Sequence, residues 1–234
     1  MCYNQINYYC SGLKLKNPNS KWSHTTAIPV NNGQRHAFFT KKAYFASKRA
    51  FDVAFSFAAL LFLAPLMAIL CAVILISDGR PVFFVQKRVG RDGKLFNCYK
   101  FRTLKKECPS YLEKRNLDAE NFLTAYGRVL RSLSLDELPQ FFNVLKGDMS
   151  IVGPRPMIQK HRNIHALRRK YHVDRLKPGV TGLAQVMGRD TLSDEKKASF
   201  DREYYEKCSM QLDAKIIVKT FSVVFRKDGY KEGR

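Results

Sequence analysis

The sequence predicts an α+β protein that is mainly helical, with a re-entrant membrane helix-break-helix, one β-hairpin and interfacial amphipathic helices around a small cytosolic domain. Three observations predict this fold. Residues 53–76 carry no charge, residues 82–102 read as two strands around a glycine-containing turn, and apolar residues recur at helical spacing near the C-terminus. The 234 residues suffice for one modest domain with an appendage.

The charge of the chain indicates a polyanionic partner. There are 41 Lys+Arg against 20 Asp+Glu, which gives a net charge of +21. Nucleic acid, an anionic membrane surface and phosphorylated substrates all fit this sign. Together with the 45% share of hydrophobic residues, this composition excludes a disordered tail and a polytopic transporter. Six cysteines lie far apart without a C-x-x-C pair, so neither a disulfide framework nor a zinc site is predicted.

The first predicted domain, residues 1–47, is a basic and loosely ordered arm. Residues 1–49 hold eight basic residues and no acid in a polar background. We expect no signal peptide here, because a signal needs an apolar run directly after a short basic start, and the first apolar run begins at Val53.

The second predicted domain, residues 48–80, contains the uncharged segment Val53–Ile76. As a helix it would be about 36 Å long, enough to span a bilayer core of roughly 30 Å. A buried helix of a soluble core rarely stays uncharged all round for this length. Pro65 at the midpoint should kink or break the helix, and basic residues, which mark the cytoplasmic side, flank it at both ends. We therefore expect the segment to enter and leave the membrane by the same face, with a straight crossing as the alternative.

The third predicted domain, residues 81–234, begins with a hairpin at the membrane surface. Strands over 82–89 and 94–102 flank the turn Gly90-Arg91-Asp92-Gly93. Near the C-terminus, a basic amphipathic helix is predicted to lie on anionic lipid, and packing against the domain's own core is an equal alternative. Its apolar residues are Leu212, Ile216, Ile217, Phe221 and Val224.

Two adjacent carboxylates, Asp136 and Glu137, stand at the predicted start of a helix over 137–146. Their structural interpretation is a helix cap, with Ser134 opening a capping box, or with Asp136 itself as the cap because Pro139 would otherwise fall beyond the first turn. Their functional interpretation begins from the positive electrostatic potential at a helix N-terminus. A helix N-terminus favours an ionised carboxylate, which can hold Mg²⁺ or attack phosphorus.

Arginines held by proline and glycine surround this pair in the sequence. Arg131 lies upstream, and Gly153-Pro154-Arg155-Pro156 follows the predicted helix. Guanidinium groups suit bidentate recognition of phosphate. Residues 155–189 carry nine basic residues and one acid, although we expect most of Arg168-Arg169-Lys170 to be a solvated or lipid-facing surface. An acid pair with rigid arginines beside a membrane is the kind of site that an enzyme needs in order to transfer a group between a soluble phosphate and a lipid-linked phosphate.

At these residues the chain resembles the bacterial sugar transferases, the small monotopic phosphoglycosyl transferases. The resemblance runs from about Lys48 to Tyr230 and departs from the family at Ala64-Pro65, where the family often has Ser before the proline. It rests on several motifs in the family's order: Lys48-Arg49-x-x-Asp52, Gln86-Lys87-Arg88-Val89-Gly90, Tyr99-Lys100-Phe101-Arg102-Thr103, Ser134-Leu135-Asp136-Glu137-Leu138-Pro139-Gln140, Gly147-Asp148-Met149-Ser150-Ile151-Val152-Gly153-Pro154-Arg155-Pro156 and Pro178-Gly179-Val180-Thr181-Gly182.

The resemblance implies a monotopic enzyme of the bacterial inner membrane whose catalytic domain faces the cytoplasm. It implies transfer of a sugar-1-phosphate from a UDP-sugar to polyprenyl (undecaprenyl) phosphate, with Mg²⁺ and release of UMP, to initiate a cell-surface glycan. Carried over, Asp136 is the nucleophile that forms a covalent phosphosugar intermediate, and Glu137 is its partner in metal binding or proton handling. The implied phosphate-binding residues are Arg131, Arg155 and Arg189, with Lys100 and Arg102 as weaker candidates.

The alternative function is that of a membrane-tethered nucleic-acid-binding protein without catalysis, which the basic run over 155–189 favours. Against it, the chain has no recognisable nucleic-acid-binding motif, and its arginines are coupled to Pro and Gly rather than spaced along one helix face. We therefore expect a UDP-sugar, polyprenyl phosphate and anionic membrane lipid as partners, and no nucleic acid. No residue identifies the sugar.

Overall fold

The computed structural model describes residues 32–108, 122–188 and 191–226. These residues are mainly helical and contain two small sheets, which confirms the predicted mainly helical α+β class. The helices are α1 (Asn32–Asp78), α2 (Ala125–Ser132), α3 (Gln140–Lys146), α4 (Arg162–Lys170), α5 (Leu183–Met187), α6 (Asp194–Lys207) and α7 (Met210–Arg226). The strands are β1 (Phe83–Val89), β2 (Leu95–Phe101), β3 (Ser150–Val152) and β4 (Gly179–Thr181).

Helix α1 is continuous through Pro65, where the sequence predicted a kink or a break, so the helix does not break there. A proline removes one backbone hydrogen bond, whereas a break would leave several backbone groups unpaired in an apolar segment that has no water to receive them. The unbroken helix is therefore the less costly arrangement. Helix α1 also begins inside the arm predicted over residues 1–47, and residues 1–31 of that arm lie outside the described residues.

Most of the apolar surface of α1 is uncovered. The stretch Ala43–Asp78 is long and apolar enough to cross a membrane, and little of it is buried. Phe57, Phe62 and Ile76 are 63%, 84% and 86% exposed. A helix in the core of a soluble domain would bury such side chains, so this exposure supports the predicted membrane segment.

The N-terminal end of the apolar segment is bound to the globular part of the chain. Lys48 Nζ lies 2.8 Å from Asp213 Oδ2 on α7, and both side chains are buried. One turn later, Asp52 Oδ1 accepts a hydrogen bond of 3.0 Å from the backbone N–H of Ile151 on β3. The motif Lys48-Arg49-x-x-Asp52 therefore attaches the start of the membrane segment to the core.

The C-terminal end of the segment is bound to the same globular part. Arg102, directly after β2, donates from Nη2 to the carbonyls of Asp78 and Gly79 at 3.1 and 2.8 Å, and this Nη2 lies 2.7 Å from Asp78 Oδ2. A guanidinium at a helix C-terminus satisfies carbonyls that have no partner within the helix. Both ends of the apolar segment thus belong to one compact unit, Thr40–Arg234.

Strands β1 and β2 form the predicted hairpin. They pair antiparallel, with Phe83 opposite Phe101 and Val89 opposite Leu95. The turn Arg91–Gly93 contains Gly93 at φ +75°, a conformation that glycine adopts without steric cost. The register places Lys100 near the end of β2, on the strand that leads to Arg102.

Helix α7 packs on the core as well as exposing apolar side chains. Ile216 is buried, and Leu212 and Ile217 pack against the same core cluster. Val218 and Phe221 are 71% and 58% exposed, so the helix retains an outer apolar face. The structure therefore supports core packing for Ile216, and the contact of α7 with lipid stays a prediction.

Candidate active site

The acid pair lies in a single 3₁₀ turn, Leu135–Glu137, that precedes α3. Ser134 adopts a left-handed conformation with φ +56°, and α3 starts only at Gln140, with Pro139 at its N-cap. The helix predicted over 137–146 therefore begins three residues later, and neither Ser134 nor Asp136 is its N-cap. The strained residue before the turn changes the direction of the chain and presents both carboxylates to the same neighbours.

Two cations converge on Glu137. Lys100 Nζ on β2 lies 2.6 Å from Glu137 Oε1, and Arg155 Nη2 lies 3.1 Å from the same oxygen. Lys100 Nζ is also 3.8 Å from Oδ2 of the buried Asp136. The structure thus brings together four of the predicted site residues from three distant parts of the chain.

The two carboxyl groups have pKa values shifted in opposite directions. Burial raises the pKa of Asp136, against the lowering effect of the nearby Lys100. Burial alone would raise the pKa of Glu137 too, but the charges of Arg155 and Lys100 and their hydrogen bonds hold that pKa well below its usual range. Glu137 is therefore the permanently ionised member, and Asp136 is the carboxylate whose charge is less compensated.

Arg131 approaches the pair from α2, and a threonine orients it. Its Nε donates a hydrogen bond of 3.0 Å to Thr103 Oγ1, and its charge lowers the pKa of Asp136. Helix α2 packs closely against the chain at Thr103, since a Cβ at Gly127 would meet the carbonyl oxygen of Thr103. Thr103 belongs to one of the sequence motifs, but the sequence predicted no role for it.

The structure shows different contacts for one predicted phosphate-binding residue, and another lies outside the described residues. Arg102, a weaker candidate, binds the C-terminal end of α1 instead, so the structure places its guanidinium at the base of the membrane segment. The strand predicted over 94–102 included Arg102, but β2 ends at Phe101. Arg189 lies outside the described residues.

Two glycine-containing motifs form the support of Arg155. Strands β3 and β4 pair in parallel, and a Cβ at Gly179 would meet the backbone nitrogen of Gly153. A Cβ at Gly182 would likewise meet the Gly153 carbonyl oxygen. Only glycines allow these two chain segments to approach so closely. The motifs Gly153-Pro154-Arg155-Pro156 and Pro178-Gly179-Val180-Thr181-Gly182 are therefore one packed unit.

Asn143 holds the hairpin against α3. Its Oδ1 accepts a hydrogen bond of 3.0 Å from the N–H of Tyr99, and its Nδ2 donates to the carbonyl of Asn97 at 2.7 Å. The side chain is fully buried, and the bonds fix the strand that carries Lys100 relative to the helix that follows the acid pair. Sequence reasoning missed this residue, although an amide directly between apolar neighbours in α3 is an available signal.

The donor set of the site suits Mg²⁺ shared with a substrate. Among residues 32–108, 122–188 and 191–226, no group of three or more His, Cys, Asp or Glu side chains is arranged to hold a metal. Mg²⁺ commonly takes one or two protein carboxylates and completes its shell with water and substrate phosphates. Asp136 and Glu137 fit that pattern and are the residues that would hold the ion.

Comparison with known proteins gives one consistent result. The family model for bacterial sugar transferases matches residues 43–227, a range that contains every residue of the site described above. The exopolysaccharide production protein ExoY of Rhizobium meliloti is 36% identical over 193 residues, covering 76% of this chain and 85% of that protein. The uncharacterized sugar transferase EpsL of Bacillus subtilis is 41% identical over 188 residues, covering 79% and 90%. The undecaprenyl-phosphate galactose phosphotransferase of Salmonella typhimurium is 39% identical over 197 residues, covering 78% of this chain but 41% of that protein.

Proposed function

The chain belongs to the bacterial sugar transferase family and is a phosphoglycosyl transferase; from this premise we propose that it moves a sugar-1-phosphate from a UDP-sugar to polyprenyl phosphate. The product is a polyprenyl diphosphate sugar, and UMP is released. Relatives named for undecaprenyl phosphate and for exopolysaccharide production support this acceptor and a role at the start of a cell-surface glycan. The family assignment favours the enzyme over the nucleic-acid-binding alternative.

The observation that carries the proposal is a buried carboxylate, Asp136, next to a carboxylate that holds two cations. In the first step an oxygen of Asp136 attacks the β-phosphorus of the donor and the bond from that phosphorus to the bridging oxygen breaks. UMP leaves with the bond's electron pair, and the sugar phosphate remains as an acyl phosphate on Asp136. In the second step a phosphate oxygen of the lipid attacks the same phosphorus and Asp136 leaves as a free carboxylate.

Each of the surrounding side chains has a task in both displacements. Glu137 holds the cationic groups of Lys100 and Arg155 in place beside Asp136, where the phosphoryl group reacts. Arg131, oriented by Thr103, adds a third cation beside Asp136. Preorganised donors of this kind stabilise charge on phosphoryl oxygens, the main contribution a protein makes to phosphoryl transfer. When bound, Mg²⁺ supplies further neutralisation of that charge.

A covalent route also suits the two substrates. Both are bulky anions, one in water and one in the membrane, and a carboxylate nucleophile lets them occupy the site one after the other. The site must then lie at the membrane interface on the side where the UDP-sugar is made. We therefore propose that the catalytic domain lies at the cytoplasmic face of the inner membrane.

Re-entry of α1 into the membrane is part of the proposal. Lys48 and Asp52 attach one end of the apolar segment to α7 and β3, and Arg102 attaches the other end beside Asp78. Because both ends belong to one compact unit, re-entry requires α1 to bend at Pro65, where a proline kinks a helix that continues through it. Both ends then lie on the same side of a bilayer that receives the exposed apolar surface between them.

The test is UMP release by the purified protein in detergent from a panel of UDP-sugars, with polyprenyl phosphate and Mg²⁺. We expect one or a few donors to give UMP and a polyprenyl diphosphate sugar in equal amounts. Reactions without the lipid serve as controls for hydrolysis. Lack of UMP release from every donor would contradict the proposal.

The acid limb of the pH–rate profile should reflect the ionisation of Asp136. An attacking carboxylate must be ionised, so kcat/KM falls as pH drops through the raised pKa of Asp136, whereas Glu137 stays ionised throughout. Lys100→Met removes a charge that lowers the pKa of Asp136, so we expect the acid limb to move to higher pH. Lys94→Met, an exposed residue of the same hairpin, is the matched control and should leave the limb in place. An unshifted limb in Lys100→Met would contradict the assignment of Asp136.

A further inference from the structure

The segment from Pro154 to Met157 is fixed through its carbonyl groups. Two residues of this segment are prolines, which have no N–H to donate. The segment is therefore held mainly by hydrogen bonds that its carbonyl groups accept. All four carbonyls accept a hydrogen bond: Pro154 from Gly179 N at 2.9 Å, Arg155 from Arg168 Nη1 at 2.9 Å, Pro156 from Arg88 Nη1 at 3.1 Å and Met157 from Val89 N at 2.9 Å.

The donor to the Arg155 carbonyl is itself held by a buried ion pair. Arg168 on α4 donates from Nε and Nη2 to Asp201 Oδ2 on α6, at 2.9 and 2.7 Å. Both side chains are buried, with 8% and 2% of their surfaces exposed. The sequence predicted that most of Arg168-Arg169-Lys170 is a solvated or lipid-facing surface. Arg169 and Lys170 are indeed exposed, whereas Arg168 is buried against Asp201, 33 positions further along the chain.

The start of this segment borders an open cavity of about 580 Å³, whose wall includes Pro154, Arg168 and Pro178. Pro154 and Pro156 are buried, and Arg155 between them is half-buried. Of the four hydrogen bonds, the one from Arg168 acts on the carbonyl of Arg155 itself.

We propose that Asp201 and Arg168 are positioning residues of the transferase: the ion pair holds the carbonyl of Arg155 so that its guanidinium meets Glu137 and the donor phosphate. This inference rests on the proposed function. The connection runs from Asp201 through Arg168 to the backbone of Arg155, and from the Arg155 side chain to Glu137 at 3.1 Å. Helices α4 and α6 carry neither carboxylate of the acid pair. Through this connection they nevertheless fix the position of Arg155, which contacts Glu137.

The test replaces the whole pair by apolar residues, Arg168→Met with Asp201→Leu. Removing only one partner would leave a buried unpaired charge and could unfold the protein, whereas apolar replacement of a buried pair is often neutral or stabilising. We expect an unchanged or higher Tm and a fall in kcat/KM of about 10-fold to 100-fold, the size of effect that small misplacements of a reacting group produce. The control is Arg202→Met with Glu206→Gln, an exposed pair on α6, which should leave activity unchanged.

Two further readouts separate positioning from a merely structural role. In an Arg155→Ala background the pair replacement should cause no additional loss of activity, because it acts through Arg155. Amide hydrogen exchange of Gly179 and Val89, whose N–H groups donate to the carbonyls of Pro154 and Met157, should quicken in the pair variant and not in the control. Additive losses in the Arg155→Ala background, or unchanged exchange, would overturn the inference. A wild-type protein that releases no UMP would instead contradict the proposed function, and the exchange measurement would still decide the positioning.

Discussion

Asp136→Asn should abolish sugar-phosphate transfer, with kcat lowered by about four orders of magnitude or more, the range seen when a catalytic nucleophile is removed. An amide has no anionic oxygen to attack phosphorus and cannot form the acyl phosphate. Asparagine matches aspartate in volume, and an uncharged group at this buried position avoids the desolvation that raises the pKa of Asp136. We therefore expect the variant to fold with a Tm close to that of the wild type, so that the loss in UMP release is chemical.

Asp92→Asn is a suitable control for this change. Asp92 is half-exposed in the hairpin turn, has φ +55°, and forms an ion pair with the neighbouring Arg91. Asparagine tolerates that left-handed conformation well, so the control should fold and retain wild-type turnover. Substantial turnover by Asp136→Asn would show that another group performs the displacement.

Labelling of single cysteines should place both ends of the apolar segment on the cytoplasmic side. The structural reason is that Lys48 and Asp78, at opposite ends of the segment, are ion-paired to Asp213 and Arg102 of one compact unit. In a cysteine-free background, cysteines at position 42 or position 94 should both be protected from a membrane-impermeant thiol reagent in intact cells.

Opening the membrane is the control in that experiment, because both positions must then react. Label at position 42 in intact cells would show that the segment crosses the bilayer. It would also mean that the contacts of Lys48 and Asp52 with the core do not form in the membrane, since those contacts require both ends on one side.

The elements that sequence predicted correctly are those set by local patterns. The long apolar helix follows from an uncharged run, and the hairpin from two β-prone stretches around a turn that contains Gly93. The start of α3 could not be predicted in this way. The left-handed conformation of Ser134 moves the acid pair into a 3₁₀ turn, and a non-glycine residue gives little sequence signal for that conformation.

The candidate site was predictable in its residues but not in its geometry. The carboxylates, Lys100 and Arg155 were named from the sequence, yet their meeting depends on contacts across 37 and 18 positions of the chain. The contact of Arg102 with α1 could not be predicted for the same reason, because only the fold shows that the end of β2 lies against the end of α1. The burial of Arg168 likewise depends on Asp201, which the local charge pattern does not reveal.

The most direct test of the account is the covalent intermediate itself. Wild-type protein is incubated with labelled UDP-sugar and Mg²⁺ but without lipid acceptor, and the protein is then analysed by intact mass and peptide mapping. We expect one phosphosugar per chain, located on the peptide that contains Asp136, with an equal amount of UMP released and the label discharged when polyprenyl phosphate is added. A protein that catalyses transfer but carries no phosphosugar under these conditions, or carries it on a peptide without Asp136, would contradict the account.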